Sequence, residues 1–319
     1  MAVYTDLSDE ELAGLLARYD LGAARAFKGI AEGVENSNFY LETDRGRYIL
    51  TIYEKRVQAA DLPFFFQVME RAATAGVTCP APVHGRDGAV IQSVRAKPCA
   101  VISFLSGVSP KRPNAAQCRA AGAELARLHL ALDGLGLERP NALGAAAWPA
   151  LAKARDGEIE ALEPGAAALV AQDLDALAGW PDGLPRGVIH ADLFPDNVLF
   201  LGDAVSGLID FYFACTDLLA YDLAEMLNAW CFEPNMREFD LVRGRSLIGG
   251  YESVRPLSAP EREALPLLAR GAALRFFLTR LIDWTGTPGD ALVRRKDPRE
   301  YLSRLGFHRR AVGPGDYGA

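Results

Sequence analysis

The chain has 319 residues, of which 50% are hydrophobic and 24% charged. That length exceeds one simple core and suits two lobes of an ordinary globular protein. The net charge of −7 argues against a general binder of nucleic acid or anionic membrane, while leaving room for a local basic pocket for a nucleotide.

The first residues, MAVYTDLSDEEL, are acidic and lack an apolar core, so no signal peptide is expected. No stretch of about 20 apolar residues is free of charges, so no membrane span is expected either. The five cysteines (Cys79, Cys99, Cys118, Cys215 and Cys231) are odd in number and form no CxxC pair. They point to neither a disulfide framework nor a zinc site, and reduced thiols fit a cytoplasmic setting.

Ser8 and Glu11 have capping-box spacing and open a helix with Leu12, Leu15 and Leu16 on one face, ending near Asp20–Gly22. Ala24–Ile30 reads as a strand, EGVENS as a loop and Asn38–Thr43 as a second strand. Gly46 marks a hairpin turn into a third strand, YILTIYEK. The segment DLPFFFQVMERAATAG is a helix, with Pro63 in its first turn and Gly76 closing it. Two more strands are expected around an Asp87–Gly88 turn, followed by a linker, SGVSPKRPN. Asn114 then caps a long helix, and residues 145–180 form Ala-rich helices interrupted by Pro149, Pro164 and Pro181. A strand–turn–strand unit follows, and from about Leu218 the chain is mostly helical, with a frayed tail, VGPGDYGA.

The strand–turn–strand unit carries the chemistry. VIHADLFPDNVLFLGDAVSGLIDF contains the string H-x-D-x-x-x-x-N, then a strand ending in Asp210. Phosphoryl transfer from ATP needs a carboxylate to orient the acceptor hydroxyl and take its proton, and hard oxygen ligands for Mg²⁺. Asp192 is the candidate base, and Asn197 and Asp210 the metal ligands. His190 is read as structural, pinning the loop through its ring nitrogens. A lone HxD is weak, and a satisfied histidine or a turn aspartate explains it as well. The full string parallels the catalytic-loop and DFG signatures of protein kinases.

HADLFPDNVLF and LIDFYFACTDLLAYDLAEMLNAWCF resemble the aminoglycoside phosphotransferase and choline kinase superfamily, and within it the bacterial homoserine kinase group. EGVENSNFYL, YILTIYEKR and SFLSG resemble its N-terminal motifs. The resemblance spans nearly the whole chain, with the motifs in family order. It implies an α+β, two-lobed protein-kinase-like fold with the site in the cleft. A small N-terminal antiparallel-sheet lobe (residues 1–105) would bind nucleotide, and a larger, mostly helical C-terminal lobe (residues 106–319) would carry catalysis and acceptor binding. It further implies ATP and Mg²⁺ as cofactors and phosphorylation of the L-homoserine hydroxyl, a step toward threonine, by a monomer or homodimer. Other small alcohols of the superfamily (choline, methylthioribose, an aminoglycoside) are the alternative acceptors. A nucleotide-binding module without catalysis is the alternative from another class.

On the nucleotide side, Asn36 and Ser37 are expected to donate to phosphates alongside the loop amides. Thr51 stands where the superfamily has a lysine. Lys55, on the same sheet face by alternation, either reaches the phosphates or is a solvated strand-end lysine; Lys97 is a further candidate cation. Main-chain atoms of Ser103 and Leu105 are expected at the adenine edge. For the acceptor, Arg275 is the candidate clamp for the homoserine carboxylate and Tyr212 a candidate pocket wall. Asp217 and Asp222 are expected to brace the loop and cap the helix after it.

Overall fold

A computed structural model describes residues 5–30, 36–54, 57–233, 238–286 and 296–319. The chain divides into two units, Met1–Gly107 with Ser206–Tyr212, and Val108–Val205 with Phe213–Ala319. The first is built on an antiparallel sheet and the second is mainly helical, the two-lobed α+β division expected of the chain.

In the first unit, Ser8 accepts from the Glu11 N–H and Glu11 reaches back to the Ser8 N–H, starting helix α1 (Asp9–Leu16). Five strands follow: β1 (Ala24–Ile30), β2 (Ser37–Thr43), β3 (Gly46–Ile52), β4 (Gln92–Val94) and β5 (Lys97–Ser103). They pair in the order β1-β2-β3-β5-β4, antiparallel throughout. Side chains alternate across the sheet. One face sends Phe39, Leu41, Leu50, Ile52, Cys99 and Val101 against Leu12, Leu15 and Leu16 of α1. Asn38, Thr51 and Ala100, cross-strand neighbours in register, belong to the opposite face. Helix α2 (Leu62–Thr74), between β3 and β4 with Pro63 in its first turn, brings Phe66 edge-on to Tyr53, the residue after β3.

The expected hairpin at Asp87–Gly88 is displaced. Gly88 does adopt a positive φ of 80°, but β4 and β5 turn at Arg95–Ala96, with φ values of 49° and 58°. Neither residue is the Gly or Asn that normally marks such a turn, so the sequence did not show it. The segment Ser206–Tyr212, expected in the second lobe, groups with the first unit. The Leu208 N–H donates to the Thr78 carbonyl at 2.8 Å, and the Tyr212 hydroxyl meets that of Tyr53 at 2.7 Å.

The second unit begins with α3 (Ala115–Leu132), capped by Asn114 and Gln117 in a reciprocal box. Short helices α4 (Trp148–Lys153), α5 (Asp156–Leu162) and α6 (Ala166–Leu177) follow, with Pro149 in the first turn of α4 and Pro164 between α5 and α6. Strands β6 (Arg186–Ile189), β7 (Val198–Leu201), β8 (Ala204–Leu208), whose residues from Ser206 on group with the first unit, and β9 (Cys215–Leu218) come next, with β6 antiparallel to β9 and a turn at Gly202 between β7 and β8. Helices α7 (Leu219–Trp230), α8 (Leu241–Glu252), α9 (Ala259–Gly286) and α10 (Arg299–His308) complete it. Helices α3 and α8 touch backbone to backbone: a Cβ on Gly122 would lie 2.1 Å from the Leu247 carbonyl oxygen, and one on Gly250 2.0 Å from that of Arg119. Ten of the twelve residues of α7 are buried, which makes it the central helix and puts Asp222, Glu225 and Asn228 inside.

The tail is not frayed. Pro314–Tyr317 forms a 3-10 turn, and buried Tyr317 lies parallel to the His308 ring with its hydroxyl 2.8 Å from Nδ1. One aromatic side chain docking in the core orders a segment whose composition gives no sign of it.

Candidate active site

The loop after β6 has peptide groups held by three side chains and by bonds within the loop. Asp222 of α7 accepts from the N–H of His190 at 2.7 Å and of Ala191 at 2.9 Å. Arg275 of α9 donates to the Ala191 carbonyl at 2.7 Å. The Trp230 indole N–H donates to the Leu193 carbonyl at 2.8 Å. Within the loop, the Phe194 N–H donates to the Asp192 carbonyl at 2.8 Å, and the Asn197 N–H to that of Phe194 at 2.9 Å. Ala191 therefore has both its N–H and its C=O held by buried charged side chains. It sits at φ 61°, a strained backbone for alanine. Such strain costs about 1–3 kcal/mol and persists only where the surroundings impose it.

Asp192 and Asn197 are brought together. The Asn197 amide nitrogen donates to the Asp192 carbonyl at 2.7 Å and to its carboxylate Oδ2 at 3.1 Å. With the nitrogen engaged, the amide oxygen is the atom left to coordinate a cation. Asp210, in the first unit, has φ 66°. It is close enough to Tyr212 and Tyr53 for its charge to help raise both phenols, after burial, which is the larger cause; Tyr212 is pushed up to about 12. Left-handed backbone at a non-glycine residue thus occurs at Asp210 itself and directly before Asp192.

The His190 backbone N–H supplies one of these ties to Asp222. Asp222 braces the loop as expected and has a partner the sequence did not point to: His129 of α3 contacts its Oδ2 at 3.0 Å and the Tyr251 hydroxyl at 2.8 Å. Burial pushes the Asp222 carboxyl up, but the His129 hydrogen bond, the charges of His129 and His190 and the His190 N–H outweigh it and hold the pKa below the usual range. Asp217 bonds the Leu218 N–H and Asn141, each at 2.8 Å, at the start of α7.

Arg275 is a correction. It is 3% exposed and paired with Glu225 of α7 as well as with Ala191. Burial raises the Glu225 carboxyl well above its ordinary range, with Arg275 opposing. A guanidinium sequestered in this way braces the loop and does not reach out to a substrate carboxylate. Tyr212 packs edge-on to Tyr53 and Phe65.

On the first unit, Ser37 is fully buried; it accepts from the Thr5 N–H at 3.0 Å and donates to Glu54 at 2.8 Å. Its hydroxyl is therefore committed to Glu54, not to a phosphate. The Asn36 oxygen accepts from the Glu54 N–H at 3.3 Å, which leaves its amide N–H groups as donors. Thr51 donates to the Asn38 side chain at 2.8 Å. Lys97 alternates with Cys99 onto the α1-covered face, where it bonds Glu54 and, at 2.6 Å, Thr5. It therefore does not share the face of Thr51. Lys55 lies outside the described residues. At the expected adenine edge, the N–H of Ser103 goes to the Ala81 carbonyl and that of Phe104 to the Arg47 carbonyl. Ser103 is thereby removed as a main-chain donor, and Leu105 follows as the chain leaves the sheet. Among the described residues no group of three or more His, Cys, Asp or Glu side chains gathers as a metal site.

A model of the phosphotransferase enzyme family matches residues 26–257. The chain is 55% identical over 328 aligned residues to a homoserine kinase of Hyphomonas neptunium, with 100% of each chain covered. It is 56% identical over 319 residues to one of Rhodospirillum rubrum, covering 100% of this chain and 99% of the relative. Among solved structures, a spectinomycin phosphotransferase in complex with ADP and spectinomycin matches with a TM-score of 0.71, over 95% of this chain and 98% of its own. At 11% identity that is a likeness of fold.

Proposed function

The chain belongs to the phosphotransferase enzyme family, and we propose that Asp192, Asn197 and Asp210 carry its chemistry. The reaction is ATP-dependent phosphorylation of the hydroxyl of L-homoserine to O-phospho-L-homoserine, the activity named for relatives more than half identical along the whole chain. The observation that supports the residue roles best is the loop itself, in which Asp192 is bonded to Asn197 and the peptide groups of Ala191 on one side and the Leu193 carbonyl on the other are tied to buried side chains.

In this reading Asp192 orients the homoserine hydroxyl and takes its proton as the oxygen attacks the γ-phosphorus of ATP, while the bond from that phosphorus to the β,γ-bridging oxygen breaks and ADP leaves. The Asn197 amide oxygen and the Asp210 carboxylate hold Mg²⁺. Both are hard oxygen donors, and two protein ligands suit an ion that keeps waters and phosphate oxygens in its remaining positions. When bound, Mg²⁺ neutralises charge on the phosphates. Asn36 donates to the phosphates through its amide nitrogen, and the main chain of Leu105 meets the adenine edge. Tyr212 forms part of the wall near Asp210. The five free thiols favour work in the cytoplasm.

Asp192→Asn tests the central role. Steady-state turnover should fall by about a hundred- to ten-thousand-fold, while titration calorimetry finds Mg-ATP affinity nearly unchanged. Turnover within a factor of two of the parent would remove Asp192 from this role.

A further inference from the structure

The reassignment of Arg275 leaves open what recognises the amino-acid end of homoserine. Two side chains beside the catalytic loop have the matching chemistry. Asp196 lies between Asp192 and Asn197 in the chain, and its carboxylate is 3.3 Å from the ammonium of Lys296, just before α10. Both side chains are more than half exposed, at 63% and 57%. Exposed ion pairs of this kind add little to stability, so opening the pair costs little. The Lys296 ammonium also lies over the Phe194 ring, 5.2 Å from its centroid, and Phe194 packs edge-on to Phe276 at 4.8 Å. The result is an apolar plate carrying one positive and one negative charge.

We propose that Asp196 and Lys296 form the dock for the zwitterionic head group of homoserine. Lys296 takes the α-carboxylate, Asp196 takes the α-ammonium, and the Phe194 ring supports the methylenes. The proposal rests on the homoserine-phosphorylating activity given above. An α-amino acid carries its two opposite charges on one carbon, so a pair of opposite charges already in contact is complementary to it once each exchanges its partner. The dock is joined to the chemistry through the loop. Ser109 donates to the Asp196 carbonyl at 3.0 Å, and the neighbouring Asn197 is bonded to Asp192. The dock and the base thus sit on one braced segment, Pro195–Asn197 being a single 3-10 turn. Three single bonds separate the homoserine hydroxyl oxygen from the carbon bearing both charges, and, as proposed, the substrate lies along this short loop with its head group on the dock and its hydroxyl at the base. Serine, one methylene shorter, would leave its hydroxyl short of Asp192.

The test uses the full chain with L-homoserine, homoserine amide (no carboxylate) and 4-hydroxybutanoate (no ammonium) as acceptors. Lys296→Ala should lower kcat/KM for homoserine by about 10- to 150-fold, the range for losing one hydrogen bond to a charged group. The loss should come chiefly through the homoserine KM, with the ATP KM unchanged, and the amide should be affected less than twofold. Asp196→Ala should lower homoserine use similarly and leave 4-hydroxybutanoate unaffected. A parent-like homoserine KM in Lys296→Ala, or equal losses on homoserine and its amide, would overturn the dock while the activity stands. A parent enzyme inactive on homoserine would overturn the activity, and the dock with it.

Discussion

Arg275→Ala separates a loop brace from a substrate clamp. The substitution strips the Ala191 carbonyl of a charge-assisted hydrogen bond and leaves Glu225 buried without its partner. Breaking a buried ion pair from one side costs about 3–5 kcal/mol, and the lost bond to Ala191 adds about 1.5–3 kcal/mol. The two overlap because one guanidinium nitrogen makes both contacts, so a total of about 3–6 kcal/mol is expected from denaturant unfolding. Ala191 at φ 61° would then be free to relax, and Asp192 is the next residue. A shift of about 1 Å at the base costs about a hundredfold in turnover. In a coupled assay for ADP release, kcat should fall by that order for every acceptor, with homoserine and ATP KM values near the parent's. A double variant, Arg275→Met with Glu225→Leu, should recover much of the stability, since a buried pair replaced by apolar side chains is often neutral or better. It should not recover kcat, because the Ala191 carbonyl still lacks a donor. A selective rise in homoserine KM at unchanged kcat would refute the brace and restore the clamp.

Asp210→Ala should weaken nucleotide binding only when Mg²⁺ is present; titration calorimetry with and without the metal shows this, and equal affinities in the two conditions would contradict a ligand role. Lys97→Met, on the α1-covered face, should leave the ATP KM unchanged. It should, however, flatten the acid limb of stability: burial pushes the Glu54 carboxyl up, but hydrogen bonds from Lys97, Thr5 and Ser37 outweigh it and lower the pKa. Glu54 therefore stabilises the fold above the unfolded carboxylate pKa of about 4.3 and loses that contribution as pH falls through its folded value; an unaltered acid limb in Lys97→Met would count against the pairing. Tyr317→Ala should cost about 3–5 kcal/mol, as for other large buried aromatic truncations, whereas a freely frayed tail would show no change in the unfolding midpoint.

The parts legible in the sequence are those whose bonds close within a few residues. Ser8 with Glu11 forms the reciprocal cap that its spacing predicts, and Asn114 caps α3 as expected, with Gln117 three positions on completing a second box. The contact between Asp192 and Asn197 likewise spans five positions, so one short string contains the base and its neighbour. Even the choice between the two faces of a strand follows from alternation, once the register is known.

The register itself and the bracing of the loop came only from the tertiary structure. Lys97 lies two residues before Cys99 on β5, and the pairing of Ile52 with Cys99 is what puts it on the α1-covered face and away from Thr51. Arg275 is 84 positions from Ala191, and His129 is 93 from Asp222; no local pattern encodes either partnership. In the sequence, an arginine amid apolar residues reads equally as a clamp, a snorkelling side chain or half of an ion pair. What decides among them is that α7 and α9 pack together and exclude water around Glu225, because a charge in that setting must pair with what is already buried beside it.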